Sequence, residues 1–141
     1  MRYTFLLWRI CLRDLTSVFG LDAGKIWTTL SEKGPLIKKD IQQFTELNDE
    51  DFYAGVGWLA RENKIMVDEK NQYKLSNTNL TRKIGSAAGR IWKILDIWDE
   101  ADITTMKRLA GVDDSNIHSA LGWLARENKI RLDEKEKFIL K

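Results

Sequence analysis

GWLARENKI occupies residues 57–65 and recurs, letter for letter, at 122–130. Shifting the 141-residue chain by 65 positions lays 19–76 over 84–141 without a gap and gives 20 identities in 58 positions. Gly20 meets Gly85, Ala23-Gly24 meets Ala88-Gly89, Ile26-Trp27 meets Ile91-Trp92, and Asp68-Glu69-Lys70 meets Asp133-Glu134-Lys135. A solenoid needs at least three stacked units, so two copies of a period this long predict two similar small domains. The expected order is an extension over 1–18, a first domain over 19–76, a linker "NTNLTRK" over 77–83 and a second domain over 84–141.

Each copy has the same internal punctuation. Asp22 or Ser86 is expected to cap a first helix, in which Ile26, Trp27 and Leu30, or Ile91, Trp92 and Leu95, line one face. A short extended piece follows, "GPLIK" in one copy and "EADI" in the other. Then comes a short helix that places Ile41, Phe44 and Leu47, or Met106, Leu109 and Val112, on a common side. A third helix opens at the carboxylate and amide clusters "NDED" and "DDSN", which satisfy free N–H groups at the positive helix end. It buries Phe52, Val56 and Leu59, or Ile117, Leu121 and Leu124, and stops at Asn63 or Asn128, a residue type that tolerates the left-handed cap. "KIMVDEKNQYKLS" and "KIRLDEKEKFILK" then alternate apolar and polar about a polar turn, the pattern of a β-hairpin.

That order predicts an α+β, mainly helical chain of two tandem winged helix-turn-helix domains, each with three helices and a hairpin wing. "AGKIW" and "AGRIW" followed by "GWLARENKI" resemble a small prokaryotic family of winged helix-turn-helix domains of unknown function. The resemblance covers both halves and omits the first eighteen residues. It implies a shape and brings no activity, ligand or catalytic residue with it.

From the first eighteen residues into the start of the first domain, Phe5, Trp8, Leu12, Leu15 and Phe19 keep the spacing of an amphipathic helix that packs on the protein or on a partner. The longest apolar run there, Phe5 to Trp8, is far short of an export signal or a membrane span. One cysteine, Cys11, forbids an intramolecular disulfide, and with one histidine it predicts no structural zinc. A cytoplasmic protein without metal, cofactor or small-molecule ligand is expected.

Helix-turn-helix proteins read DNA with the third helix. On a helical wheel the outer face holds Glu50, Ala54, Gly57 and Arg61 in the first copy and Ser115, Ser119, Gly122 and Arg126 in the second. Asp49, Glu50 and Asp51 would repel a polyanion at the end that should approach it. The second copy offers Ser115, Asn116, His118, Ser119 and Arg126, with Lys107 and Arg108 placed for phosphate, so any DNA contact falls chiefly to the second domain. Charge argues for restraint: the first domain sums to −2 and the second to zero, while a dedicated DNA-binding domain carries a basic surplus.

The leading expectation is a non-enzymatic DNA-binding or transcription-regulatory protein acting mainly through the second domain; a protein-interaction or dimerisation module without nucleic-acid binding is the alternative. Gly57 and Gly122 sit in helix interiors, where glycine costs about 1 kcal/mol relative to alanine, so something there requires smallness. With Ala54 or Ser119 they form a small-residue strip through which another helix could approach, bordered by Trp58, Trp123 and Arg61. Trp58 packing on the first helix or hairpin of its own domain is the favoured explanation of the same letters; self-association through the strip, or packing of one domain on the other as a pseudo-dimer, is the other. An enzyme is the weakest class, since no nucleophile, phosphate loop or unexplained carboxylate pair accompanies His118.

Overall fold

A computed structural model describes residues 14–141. The Phe5, Trp8 and Leu12 part of the expected amphipathic helix lies outside the described residues. The first half contains α1 (Leu15–Lys33), β1 (Leu36–Ile37), α2 (Lys38–Thr45), α3 (Asp49–Arg61), β2 (Ile65–Val67) and β3 (Gln72–Leu75). The second contains α4 (Thr81–Trp98), α5 (Ile103–Ala110), α6 (Asp114–Arg126), β4 (Ile130–Leu132) and β5 (Phe138–Leu140). Equivalent positions close equivalent cores. Ile26, Ile41, Phe52 and Ile65 are fully buried in the first half, and so are Ile91, Met106, Ile117 and Ile130, each 65 residues later, in the second.

Local signals explain most boundaries. The Asn48 side chain accepts from the Asp51 N–H at 2.7 Å and the Asp113 side chain from the Asn116 N–H at 3.0 Å, which starts α3 and α6. Asn63 and Asn128 hold φ of 60° and 59°. The amide of Lys64 reaches back to the Leu59 carbonyl and that of Lys129 to the Leu124 carbonyl, both at 3.0 Å, so each repeated string ends its helix in a Schellman cap. In the first half β3 lies between β1 and β2, with Leu36 opposite Tyr73 and Ile65 opposite Leu75. In the second the strand equivalent to β1 shrinks to one bridge, Ala101 to Phe138, because Asp102 already turns to cap α5.

Several expectations are corrected. Asp22 and Ser86 do not start the first helices: Asp14 caps α1 by accepting from the Ser17 N–H at 2.8 Å, and α4 starts at Thr81. Asp22 lies wholly buried within α1. The extra turns form because their apolar residues have somewhere to go. Leu15 and Phe19 pack into the core of the second domain, and Leu80 and Ile84, 65 residues on, pack into the core of the first. Trp27 and Trp92, expected inside, are 43% and 38% exposed, and Phe44 and Leu109 also face out, Phe44 beneath the Lys33 ammonium. An eight-residue helix with one buried position, Ile41 or Met106, has no second apolar face to cover.

The connection between domains is pinned. The Asn79 side-chain amide pairs with the Val67 backbone in both directions, at 3.1 and 2.6 Å, and Asn63 bonds Asn77 and the Thr78 N–H. The linker thereby continues the hydrogen bonding of the first wing.

Candidate functional site: the paired third helices

The outer faces of α3 and α6, expected to meet a partner, meet each other. Near their starts His118 lies in the field of Glu50 and Asp51; midway Gly57 faces Ser119 and Gly122 faces Ala54; at their ends Arg61 pairs with Glu127 and Arg126 with Glu62. The helices therefore run side by side in the same direction, related by an approximate two-fold axis. A Cβ at Gly57 would collide with the Ser119 carbonyl oxygen and lie 2.9 Å from its Cα; one at Gly122 would meet the Ala54 carbonyl oxygen and lie 2.9 Å from its Cα. Real Cβ atoms do not come that close, so this backbone approach requires glycine at both places.

Around the glycines the contact is reciprocal. Arg61 Nε donates to Glu127 Oε2 at 3.1 Å and Arg126 Nε to Glu62 Oε2 at 3.0 Å. Each guanidinium also lies 5.7 Å from the ring centre of the opposite tryptophan, Arg61 over Trp123 and Arg126 over Trp58. Because both arginines remain 44% exposed, solvent screens these pairs, and each is worth less than about 1 kcal/mol. Their effect is to fix register. Closure comes from burial, since Trp58 and Trp123 each pack against both cores. Trp58 also lies on Gly20 and Trp123 on Gly85, whose Cβ positions would stand 3.1 and 3.4 Å from the indoles. Gly20 and Gly85 thus make room for tryptophan, while Gly57 and Gly122 make room for the other domain.

The nucleic-acid candidates are placed as follows. Ser119, expected on an open face, is 4% exposed beneath α3, which corrects that expectation. Arg126, expected to be available to DNA, is held by Glu62 and Trp58. Lys107 pairs with Asp114 at 3.0 Å, and Ser115 donates to the capping Asp113 at 3.0 Å. Asn116 is half-buried and Arg108 exposed. Of the interaction candidates, Ala54, Gly57, Trp58, Arg61, Gly122 and Trp123 all lie in this interdomain contact. Sequence reasoning missed Glu62 and Glu127, although both stand in the repeated string directly after the arginines. It placed Leu15 on a face that packs on the protein or a partner, but missed Leu80 and that the identity of the two at the same 65-residue shift extends the repeat backwards.

His118 gives the contact a pH dependence. Burial pushes its imidazole below the usual value of 6.5, opposed in part by Glu50, Asp114 and Asp51. The folded state therefore prefers neutral histidine, so the stability is complete above 6.5 and declines as the pH falls below it. The capping carboxylates Asp113, Asp14 and Asp102 are held below 3.8, chiefly by backbone N–H donors, and act only in stronger acid. Urea melts between about pH 7.5 and 5.5 should show a loss of stability that His118→Gln abolishes. An identical loss in the variant would refute this assignment.

Among the described residues no group of histidine, cysteine, aspartate and glutamate is arranged to hold a metal ion, and no helix is long and apolar enough to cross a membrane. No curated protein matches the chain. Among solved structures it is similar to the mRNA-binding domain of elongation factor SelB from E.coli in complex with SECIS RNA, at 15% identity and a TM-score of 0.39. That match covers 85% of this chain and 97% of the other, a likeness too shallow to carry a function across. The family match is direct: the model described as Winged helix-turn-helix domain (DUF2582) fits residues 15–77 and again 80–140, and the chain belongs to that family, as a tandem pair.

Proposed function

We propose that the protein is a non-enzymatic protein-interaction module whose third helices pair its own two domains instead of reading duplex DNA. The observation that carries this reading is the meeting of α3 and α6 at Gly57 and Gly122. Major-groove entry requires a free outer face on the third helix. Freeing it here means separating two backbones in contact, breaking two Arg–Glu pairs and withdrawing Leu15 and Ile84 from the opposite cores. The carboxylates of Asp49, Glu50, Asp113 and Asp114 at the helix starts add repulsion against phosphate.

The surface left for a partner is repeated too. Gly24 and Gly89 face open space on α1 and α4, and Trp27 and Trp92 stand exposed three residues later. Among the described residues nothing needs these helical glycines to be small. An exposed glycine beside a half-exposed indole suits the close approach of another protein's backbone.

Titration of labelled duplex DNA separates this reading from DNA binding by the second domain. At about 50 mM salt, where phosphate contacts are strongest, no saturable binding is expected. Saturable binding weakened more by Arg126→Ala than by Arg61→Ala would overturn the proposal in favour of the second domain's third helix.

A further inference from the structure

We propose that the cleft between the start of α2 and the wing of the first domain binds a nucleoside phosphate. The cleft has a volume of about 660 Å³, within the range of small-ligand sites. It is lined by Lys38, Lys39 and Lys70, by Tyr53 and Tyr73, by the amides Gln42 and Asn71, and by Ile37 and Val67. Among the described residues no carboxylate lines it, and the nearby Asp49 carboxylate accepts from Gln42 at 2.8 Å at its edge. Three ammonium groups beside two phenol rings match a ligand that joins an anion to a flat aromatic base. Lys38 is partly committed, 3.1 Å from Asp49 and 4.7 Å from the centre of the Tyr53 ring, which leaves Lys39 and Lys70 as the exposed cations at the mouth. Burial pushes the Tyr73 hydroxyl up to about 12, so it stays neutral at physiological pH.

The second domain supplies an internal comparison. There the positions equivalent to Ile37, Lys38 and Lys39 are Asp102, Ile103 and Thr104. The Asp102 carboxylate accepts from the Thr105 N–H at 2.8 Å, so the chain places its own anion at the start of α5. In the first domain the residue in that role is Ile37, which makes no side-chain capping bond, and the helix opens with Lys38 and Lys39 ahead of Asp40. Tyr53 becomes His118 and Asn71 becomes Glu136 in the second copy. The two halves have equivalent cores and differ here: one caps the helix start with its own Asp102 carboxylate, the other leaves it uncapped beside a cleft lined by lysines and tyrosines.

Calorimetric titration of the full chain with AMP tests the proposal, with adenosine and inorganic phosphate as separate arms. AMP should bind saturably and more tightly than either fragment. The Lys39→Ala/Lys70→Ala double variant should bind about tenfold more weakly, the loss of charge-assisted contacts to phosphate. Substitutions at the equivalent exposed positions of the second domain, Thr104→Ala and Lys135→Ala, should leave binding unchanged. A 5′-phosphorylated dinucleotide that competes with AMP would identify the source as the end of a strand, and one that fails to compete would identify the free nucleotide. No saturable AMP binding up to about 1 mM, equal affinity for AMP and inorganic phosphate, or AMP binding unchanged in the double variant overturns the proposal.

Discussion

Replacing Gly57 by leucine is expected to destabilise the protein by about 3 kcal/mol, read as a lower urea midpoint, and to loosen the contact between domains. The sign is informative. Glycine in the middle of a helix is worse than leucine by up to about 1 kcal/mol, so within α3 alone the substitution stabilises. A net loss has to come from across the interface, where even the first added carbon collides with the Ser119 carbonyl oxygen. Gly122→Leu should behave alike, because its Cβ would strike the Ala54 carbonyl oxygen. Small-angle scattering of either variant should show a larger radius of gyration as the domains part. An unchanged midpoint together with an unchanged scattering profile would mean that the third helices are not in contact in solution.

Leu15→Ala should cost about 2–4 kcal/mol, the effect of emptying a well-packed leucine site. The result discriminates because Leu15 precedes the first domain's expected start and yet is only 2% exposed, within the core of the second domain. A segment lying loosely on a surface would tolerate the change within about 0.5 kcal/mol. Phe44→Ala is the control: a larger side chain is removed from a site that is 53% exposed, and little stability should be lost. Equal effects of the two substitutions would contradict the shared cores.

How far the sequence reveals this arrangement depends on the range over which each signal acts. Caps and turns are local. Asn48, Asp113, Asn63 and Asn128 act within a few residues of themselves, and their roles are legible from spacing alone. The buried faces of α3 and α6 are legible for the same reason. Trp27, Trp92, Phe44 and Leu109 are misread because periodicity locates an apolar stripe without saying how wide the neighbouring element is that must cover it. The early start of α1 is missed because it depends on Leu15 finding a core that belongs to residues about a hundred positions later. Gly57 and Gly122 occupy an intermediate position. Their cost in a helix announces that something comes close, and only the three-dimensional arrangement names it as the other copy. The cleft was hidden for another reason: Lys38 and Lys39, Tyr53, Lys70 and Tyr73 come from separate parts of the sequence, and no local spacing joins them.

The pinned linker alters what the two-fold contact costs the molecule. In a pair of identical subunits association depends on concentration, and every substitution enters both sides of the axis at once. Here the Asn79 amide clamped to Val67 joins two copies in one chain, so the contact forms as an intramolecular event at a fixed high effective concentration, independent of dilution. Each position on one side of the axis is free to change without its mate. Ile37 can stand where the other half needs Asp102, and Lys39 where the other half has Thr104, while Gly57 and Gly122 remain matched at the centre.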